Sequence, residues 1–134
     1  MSAKRRLSIR AETDVRRAAL EATQFSLEAG FAETPSRMIG TAVSELARNI
    51  LKYAHSGEIQ LRQVEGRRGR GRGIEIEAVD QGPGIADLEA AMRDHFSSGG
   101  TLGLGLPGVR RMMDEFSLAS TPGEGTHVTV VKWI

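Results

Sequence analysis

Glu45, Asn49 and Lys52 lie in one stretch, Ser44–Tyr53, whose pattern is helical. With Glu45 set at zero and about 100° per residue, Asn49 falls near +40°, Lys52 near −20° and Thr41 near −40°. A carboxylate, a carboxamide and an amine therefore share one face. Ile39, Val43, Leu46, Ile50 and Tyr53 fall between about 80° and 160°, so an aliphatic stripe runs beside the polar one. The stripe faces a core. The polar face needs a partner.

Three other stretches can supply chemistry opposite it. Asp80 ends an alternating run and is followed by Gln81-Gly82-Pro83-Gly84. A carboxylate at a strand end can accept a hydrogen bond from an exocyclic amine, and the glycines let backbone pass close to a flat ring. Alone, that spelling also suits a plain turn. Residues 99–108 form a glycine-rich loop running into a helix, and free amides with the positive end of a helix dipole make an anion site; a surface loop reads the same way. The loop is not Gly-x-x-x-x-Gly-Lys-Ser/Thr, so a P-loop is excluded, and its place in the chain argues against a dinucleotide fold. Finally, Gly123-Glu124-Gly125-Thr126 reads as a hairpin turn that leaves a hydroxyl where a strand begins.

The elements that would position these groups follow from periodicity. Arg5–Arg10 alternates as a short strand, and Thr13 or Asp14 can cap a helix carrying Val15, Ala18, Ala19, Ala22, Phe25 and Leu27 up to Gly30. Thr34-Pro35 then reads as a cap followed by proline at the first helical position, opening the helix of Glu45. Glu58–Val64 and Ile74–Asp80 alternate as strands, joined by a long basic connection that includes Arg67–Arg72. A nucleic-acid grip is the sharper reading of those arginines, but no stacking aromatics accompany them and a solvated turn is the better one. Asp87 can cap a short helix, Pro107 starts another reaching about Asp114, and Phe116–Thr121 and Gly125–Trp133 are strands. This order predicts an α+β chain, a two-layer α/β sandwich with a mixed sheet and helices on one face. Residues 1–134 read as a single domain.

Composition narrows the function classes. The 134 residues are 40% hydrophobic and 26% charged, with net charge +1, so nothing pulls the whole chain toward nucleic acid. There is no cysteine, which excludes disulfides and thiolate metal sites. No apolar run approaches a membrane span, so no membrane partner is expected and the cytoplasm is the default location.

Order and combination make these signals specific. A helix with Glu45 and Asn49, then Asp80–Ile85, then Gly103-Leu104-Gly105-Leu106, then Gly125-Thr126, resembles the GHKL (Bergerat) ATP-binding superfamily over essentially the whole chain. The wording of Thr41–Ile50, Asp80–Ile85, Gly105–Phe116 and the ending Gly123–Thr126 with Lys132-Trp133 is similar to the small anti-sigma-type serine-protein kinases of stressosome signalling modules.

The resemblance implies ATP and Mg2+ as cofactors and transfer of phosphate to a serine or threonine. It further implies a STAS-domain antagonist as substrate, a PP2C-type phosphatase bound and activated, and membership of a stressosome complex. By motif, Asn49 would hold the metal, Glu45 would receive or orient the proton of the attacking hydroxyl, and Lys52 would neighbour the phosphates. Asp80 would read the adenine amine, with Thr126 supporting the same ring edge. Gly82 and Gly84 would clear the ring, and Gly103, Gly105 and Gly108 would wrap the phosphates. Two departures limit the match. The segment from Asp87 to Leu104 is a short lid, and no phosphoacceptor-histidine helix pair is present, so histidine autophosphorylation is disfavoured. The alternative is a nucleotide-regulated protein-binding module with little kinase activity, and plain ATP hydrolysis would use the same residues.

Overall fold

The computed structural model describes residues 3–66, 71–84, 92 and 105–134. Strand β1 (Lys4–Ile9) leads into helices α1 (Glu12–Glu28) and α2 (Glu33–Ala54). Strands β2 (Gly57–Glu65) and β3 (Arg72–Asp80) follow. Helix α3 (Gly105–Met112) and strands β4 (Glu115–Thr121) and β5 (Gly125–Trp133) complete the described chain. The arginines at 67–70, the expected helix after Asp87, most of the expected lid and Gly103 lie outside the described residues.

The five strands form one sheet in the order β1-β2-β3-β5-β4. Every pairing is antiparallel, where the sequence reading expects a mixed sheet. The connection between β1 and β2 explains the difference there. One crossover helix returns the chain for a parallel strand, whereas two helices in succession bring it back at the opposite end. Here α1 and α2 together make that connection. The α+β, two-layer architecture stands as expected.

Because side chains alternate across a strand, register alone defines the helix-facing rows. Leu7, Ile59, Ala78, Val128 and Leu118 form one row, and Arg5, Leu61, Ile76, Val130 and Phe116 the next. At the end of the sheet the same face carries Ile9, Gly57, Asp80, Thr126 and Ser120. Apolar rows thus give way to a polar one at the sheet's edge of travel. The opposite face carries charged pairs such as Arg62–Glu75 at 2.7 Å and Arg6–Glu58 at 3.1 Å.

Against the apolar rows pack the buried faces of the helices, in one continuous core. In α2, Ile39, Val43, Leu46 and Ile50 are buried as their spacing predicts, while Tyr53 is half-buried. In α1, Val15, Ala18, Ala22 and Phe25 are buried, but Leu27 is exposed. It sits about 200° round the helix from Phe25, on the side facing away from α2 and the sheet. The helix starts differ from the sequence reading too. Helix α1 begins at Glu12, and Asp14, its third residue, accepts the backbone N–H groups of Arg10 at 2.8 Å and Ala11 at 3.1 Å. Those bonds hold its carboxyl below the usual aspartate range. Helix α2 begins at Glu33 with Ala32 as its N-cap, so Pro35 is the third helical residue. Proline is tolerated anywhere in that first turn, where its missing N–H has no helical acceptor to lose.

The C-terminal end of α3 is fastened to β5. Lys132 Nζ donates to the Met112 carbonyl at 3.0 Å, and Asp114 Oδ2 accepts the Trp133 N–H at 2.7 Å. The Trp133 indole donates to Glu115 at 2.7 Å. A cation on the last carbonyls of a helix opposes the negative end of its dipole.

Candidate functional site

Helix α2 is the spine of the site. Glu45 lies on it with only 3% of its surface exposed. An isolated buried carboxylate is costly, so its partners matter. Oε2 accepts the N–H of Gly105 at 3.2 Å, and Oε1 lies 3.4 Å from Nη1 of Arg48, one turn along the same helix. Gly105 is the first residue of α3, with φ +52°. The N-terminus of that helix therefore points an amide at the middle of α2.

One turn further, Asn49 is half-buried, and its carboxamide has no protein hydrogen-bond partner among the described residues. A partly buried amide without a partner is available to a ligand. Lys52 is exposed, with Nζ 5.3 Å from the centroid of the Tyr53 ring. The chain leaves the helix through His55, whose φ of +69° is left-handed.

The polar row at the end of the sheet meets α2 at this point. Asp80 is 5% exposed, and its Oδ1 accepts two backbone N–H groups, from Gly82 at 3.0 Å and from Thr126 at 3.2 Å. Those two bonds fix the carboxylate's orientation, and Oδ2 has no protein partner among the described residues. Gly82 is where the loop after β3 touches the end of α2. A Cβ there would lie 2.4 Å from the Ala54 Cβ, so only glycine lets the two backbones approach. Gly125 presses on the other side: its φ is +118°, and a Cβ would fall 2.1 Å from the Asp80 carbonyl oxygen. Gly84 lies against the Thr121 carbonyl.

Glu45 and Ala54 are nine residues apart, about 13 Å along the helix axis. The described site is thus a strip beside α2. At one end are Glu45 and the N-terminus of α3; Asn49 is in the middle; Asp80, Gly82 and Thr126 are at the other end. Of the residues singled out in the sequence, Glu45, Asn49, Asp80, Gly82, Gly84, Gly105 and Thr126 border this strip, and Lys52 stands exposed beside it. Gly108 is buried inside the first turn of α3 rather than in a loop, because the helix begins at Gly105, two residues before Pro107.

Two contacts were not among those singled out. Arg48 on Glu45 has a signal in the sequence, since residues three apart on a helix are neighbours. Ser120 is the other. Its hydroxyl lies 2.9 Å from that of Thr126, and it donates to the Gly125 carbonyl at 3.3 Å. The register of the β4–β5 hairpin places it there, and only a correct turn length read from residues 121–125 would have found it.

Among the described residues no three His, Cys, Asp or Glu side chains gather as a metal site. A cation held here would need its other ligands from water and from the bound molecule, which is how Mg2+ sits on phosphates. A partly buried carboxamide without a protein partner fits that role. A separate groove of about 680 Å3 runs between α1 and α2, lined by Val15, Arg16, Leu20, Ser44 and Arg48 among others. It shares only Arg48 with the strip.

Residues 8–132 match the family described as histidine kinase-like ATPase domain. The chain belongs to that family. The GHKL expectation is met, and the family's name makes ATP its nucleotide. Among curated relatives, the chain is 53% identical over 107 residues to the serine/threonine-protein kinase RsbT of Bacillus subtilis, covering 80% of this chain and 79% of the relative. It is 35% identical over 99 residues to the anti-sigma F factor of a Thermoanaerobacter species, covering 72% of this chain and 68% of that one. Among solved structures, the histidine kinase domain of the blue-light activated histidine kinase of Erythrobacter litoralis matches with TM-score 0.52 and 22% identity. That match covers 90% of this chain and 59% of the other, and it speaks for the fold alone. No helix among the described residues is long and apolar enough to cross a membrane.

Proposed function

We propose that this chain is an ATP-dependent serine/threonine protein kinase of the anti-sigma and stressosome type. The observation that carries the reading is the polar face of α2. A buried carboxylate, Glu45, stands one turn from Asn49, whose carboxamide has no protein partner among the described residues, beside the amide end of α3. The identity of 53% to a relative named serine/threonine-protein kinase supports the same reading.

In this reading the nucleotide lies along α2 with adenine at Asp80 and phosphates toward Glu45. Asp80 Oδ2 accepts from the exocyclic amine while Oδ1 stays tied to two backbone N–H groups. Gly82 and Gly84 leave room for the ring, and Thr126 supports the same edge. Asn49 would hold Mg2+ through its amide oxygen; the ion supplies neutralisation of phosphate charge. The N-terminus of α3 turns the positive end of its dipole toward the phosphates, with the Gly105 N–H itself given to Glu45. Lys52 adds a cation at the rim. A serine hydroxyl of the partner attacks the terminal phosphorus, the bond from that phosphorus to the ADP oxygen breaks, and the hydroxyl proton passes to Glu45. Phosphoryl transfer is loose and the proton leaves late, so Glu45 need not be a strong base. Arg48 and Gly105 hold the carboxylate in place while lone pairs on both oxygens remain for that proton.

The partners follow from the resemblance to RsbT-type kinases: an RsbS-like STAS-domain antagonist as substrate and an RsbU-like PP2C-type phosphatase as the protein activated, within a stressosome complex. Similarity to an anti-sigma F factor keeps a second reading in play, a nucleotide-regulated binding module with little kinase activity. One incubation separates them. With γ-labelled ATP, Mg2+ and a candidate STAS-domain protein, label appears on a serine or threonine of the partner. Label on this chain's own histidines, or nucleotide-dependent binding without transfer, would sink the kinase reading.

A further inference from the structure

The groove of about 680 Å3 between α1 and α2 has no part in the chemistry proposed above. Val15 in its lining is only 3% exposed, while Leu20 stands at the rim with 65% of its surface in solvent, the most exposed large apolar side chain among the described residues. Three arginines, Arg16, Arg17 and Arg48, line the groove against a single carboxylate, Glu12. Arg17 is tied to Asp14 at 2.6 Å, whereas Arg16 is exposed and has no acidic partner among the described residues. An apolar cleft bordered by surplus cations complements an acidic protein segment that also carries an apolar side chain. A small anion would use the arginines and leave Leu20 in water.

Arg48 belongs to the groove and to the strip alike. Its Nη1 lies 3.4 Å from Glu45 Oε1, at the long end of hydrogen-bond range, and its side chain is 35% exposed. A guanidinium carries five N–H donors in a planar fork, so it can serve two carboxylates at once. We infer that the groove docks an acidic segment of the protein that accepts the phosphate, and that Arg48 bridges a carboxylate of that segment to Glu45. The inference rests on the reading of Glu45 as the group that meets the acceptor hydroxyl. In that reading the acceptor protein must reach α2 beside Arg48, and a protein seated there overlies the groove. With its outer side held by the partner, Arg48 can no longer swing away from Glu45. The carboxylate is then held most firmly when the acceptor is in place, which favours transfer to the docked protein.

The probe is the candidate STAS-domain protein of the labelling experiment. Its affinity for the full chain is measured by calorimetry with a non-hydrolysable ATP analogue present, so binding is read without transfer. Arg16→Glu should weaken binding of the partner by roughly ten-fold, and Leu20→Glu by a similar factor. Affinity for the analogue and the melting temperature should not change, because both side chains are exposed and stand off the strip. Arg37, whose side chain is 73% exposed, serves as the control. It lies about 16 Å along α2 from Arg48, beyond the screening length of about 8 Å, so Arg37→Glu makes the same change in net charge and should leave affinity within about two-fold. Equal losses in Arg16→Glu and Arg37→Glu would reduce the effect to overall charge and overturn the inference, as would unchanged binding in both groove variants. Arg48→Lys keeps the charge but not the fork. It should raise the partner's KM and lower kcat together, whereas Arg16→Glu raises KM alone; a lower kcat in Arg48→Lys with KM unmoved would confine Arg48 to Glu45 and overturn the bridge. Weaker binding in Arg16→Glu by a chain that transfers no phosphate would support the docking surface and remove the kinase reading. A wild-type chain that does not bind this protein overturns the choice of partner and the docking with it.

Discussion

The two ends of the strip beside α2 are built in opposite ways. At the Asp80 end nearly every polar atom is already engaged by backbone or by a neighbouring hydroxyl: Gly82 and Thr126 donate to Asp80, and Ser120 pairs with Thr126. Five paired strands set those positions, and the helix end at Ala54 closes over them. At the Glu45 end the groups project from a single helix face, and Asn49 has no protein partner among the described residues. One end is a finished surface, with Asp80 Oδ2 left without a protein partner among the described residues. The other is unfinished until something charged joins it. In the proposed reading the first recognises and the second reacts, and substitutions should separate binding from turnover accordingly.

The largest expected effect is at the reactive end. Asn49→Ala removes the only carboxamide on that face and should lower phosphate transfer to a partner by roughly a hundred- to a thousand-fold, the scale of losing one stabilising group at developing charge. Single-turnover assays with labelled ATP measure it; transfer within a few-fold of wild type would remove Asn49 from the reaction. Next comes the recognition end. Asp80→Asn keeps the volume but presents an amide hydrogen where Oδ2 was, so ATP affinity should fall by roughly ten- to a hundred-fold. Calorimetry reads this directly, and an unchanged dissociation constant refutes the adenine assignment. Smaller still is the join between the ends. Gly82→Ala brings a Cβ to 2.4 Å from that of Ala54 and should destabilise the fold by about 1–3 kcal/mol, seen as a lower melting temperature. An unshifted melting temperature would mean that α2 and the loop after β3 are not in contact.

Much of this architecture was written in the periodicity of the chain. The buried stripe of α2 and the alternation of β2, β3 and β5 fall where spacing places them, because apolar burial dominates those choices. The polar face of α2 was legible for the same reason: the angular positions of Glu45 and Asn49 follow from helix geometry alone. Strand directions were not, since they depend on how many helices intervene and the two-helix link from β1 to β2 reverses the simple crossover. Pro35 misled about the start of α2 because proline fits any position of a first turn. Ser120 stayed hidden because its partner is set by hairpin register, a property of two strands together rather than of either sequence. Gly108 reads as a loop glycine because Pro107 is the strongest helix-start signal in that stretch, whereas α3 begins two residues earlier, at Gly105.

Glu45→Gln tests the division of labour most directly, because Glu45 is the most buried polar group of the reactive end and is distant from Asp80 along α2. The amide keeps the shape and can still accept the Gly105 N–H, but it takes up no proton. ATP affinity should stay within about three-fold of wild type while transfer to a partner serine falls by roughly a hundred- to ten-thousand-fold, the range of general-base contributions. Transfer at the wild-type rate, or ATP affinity lost in step with it, would contradict the account.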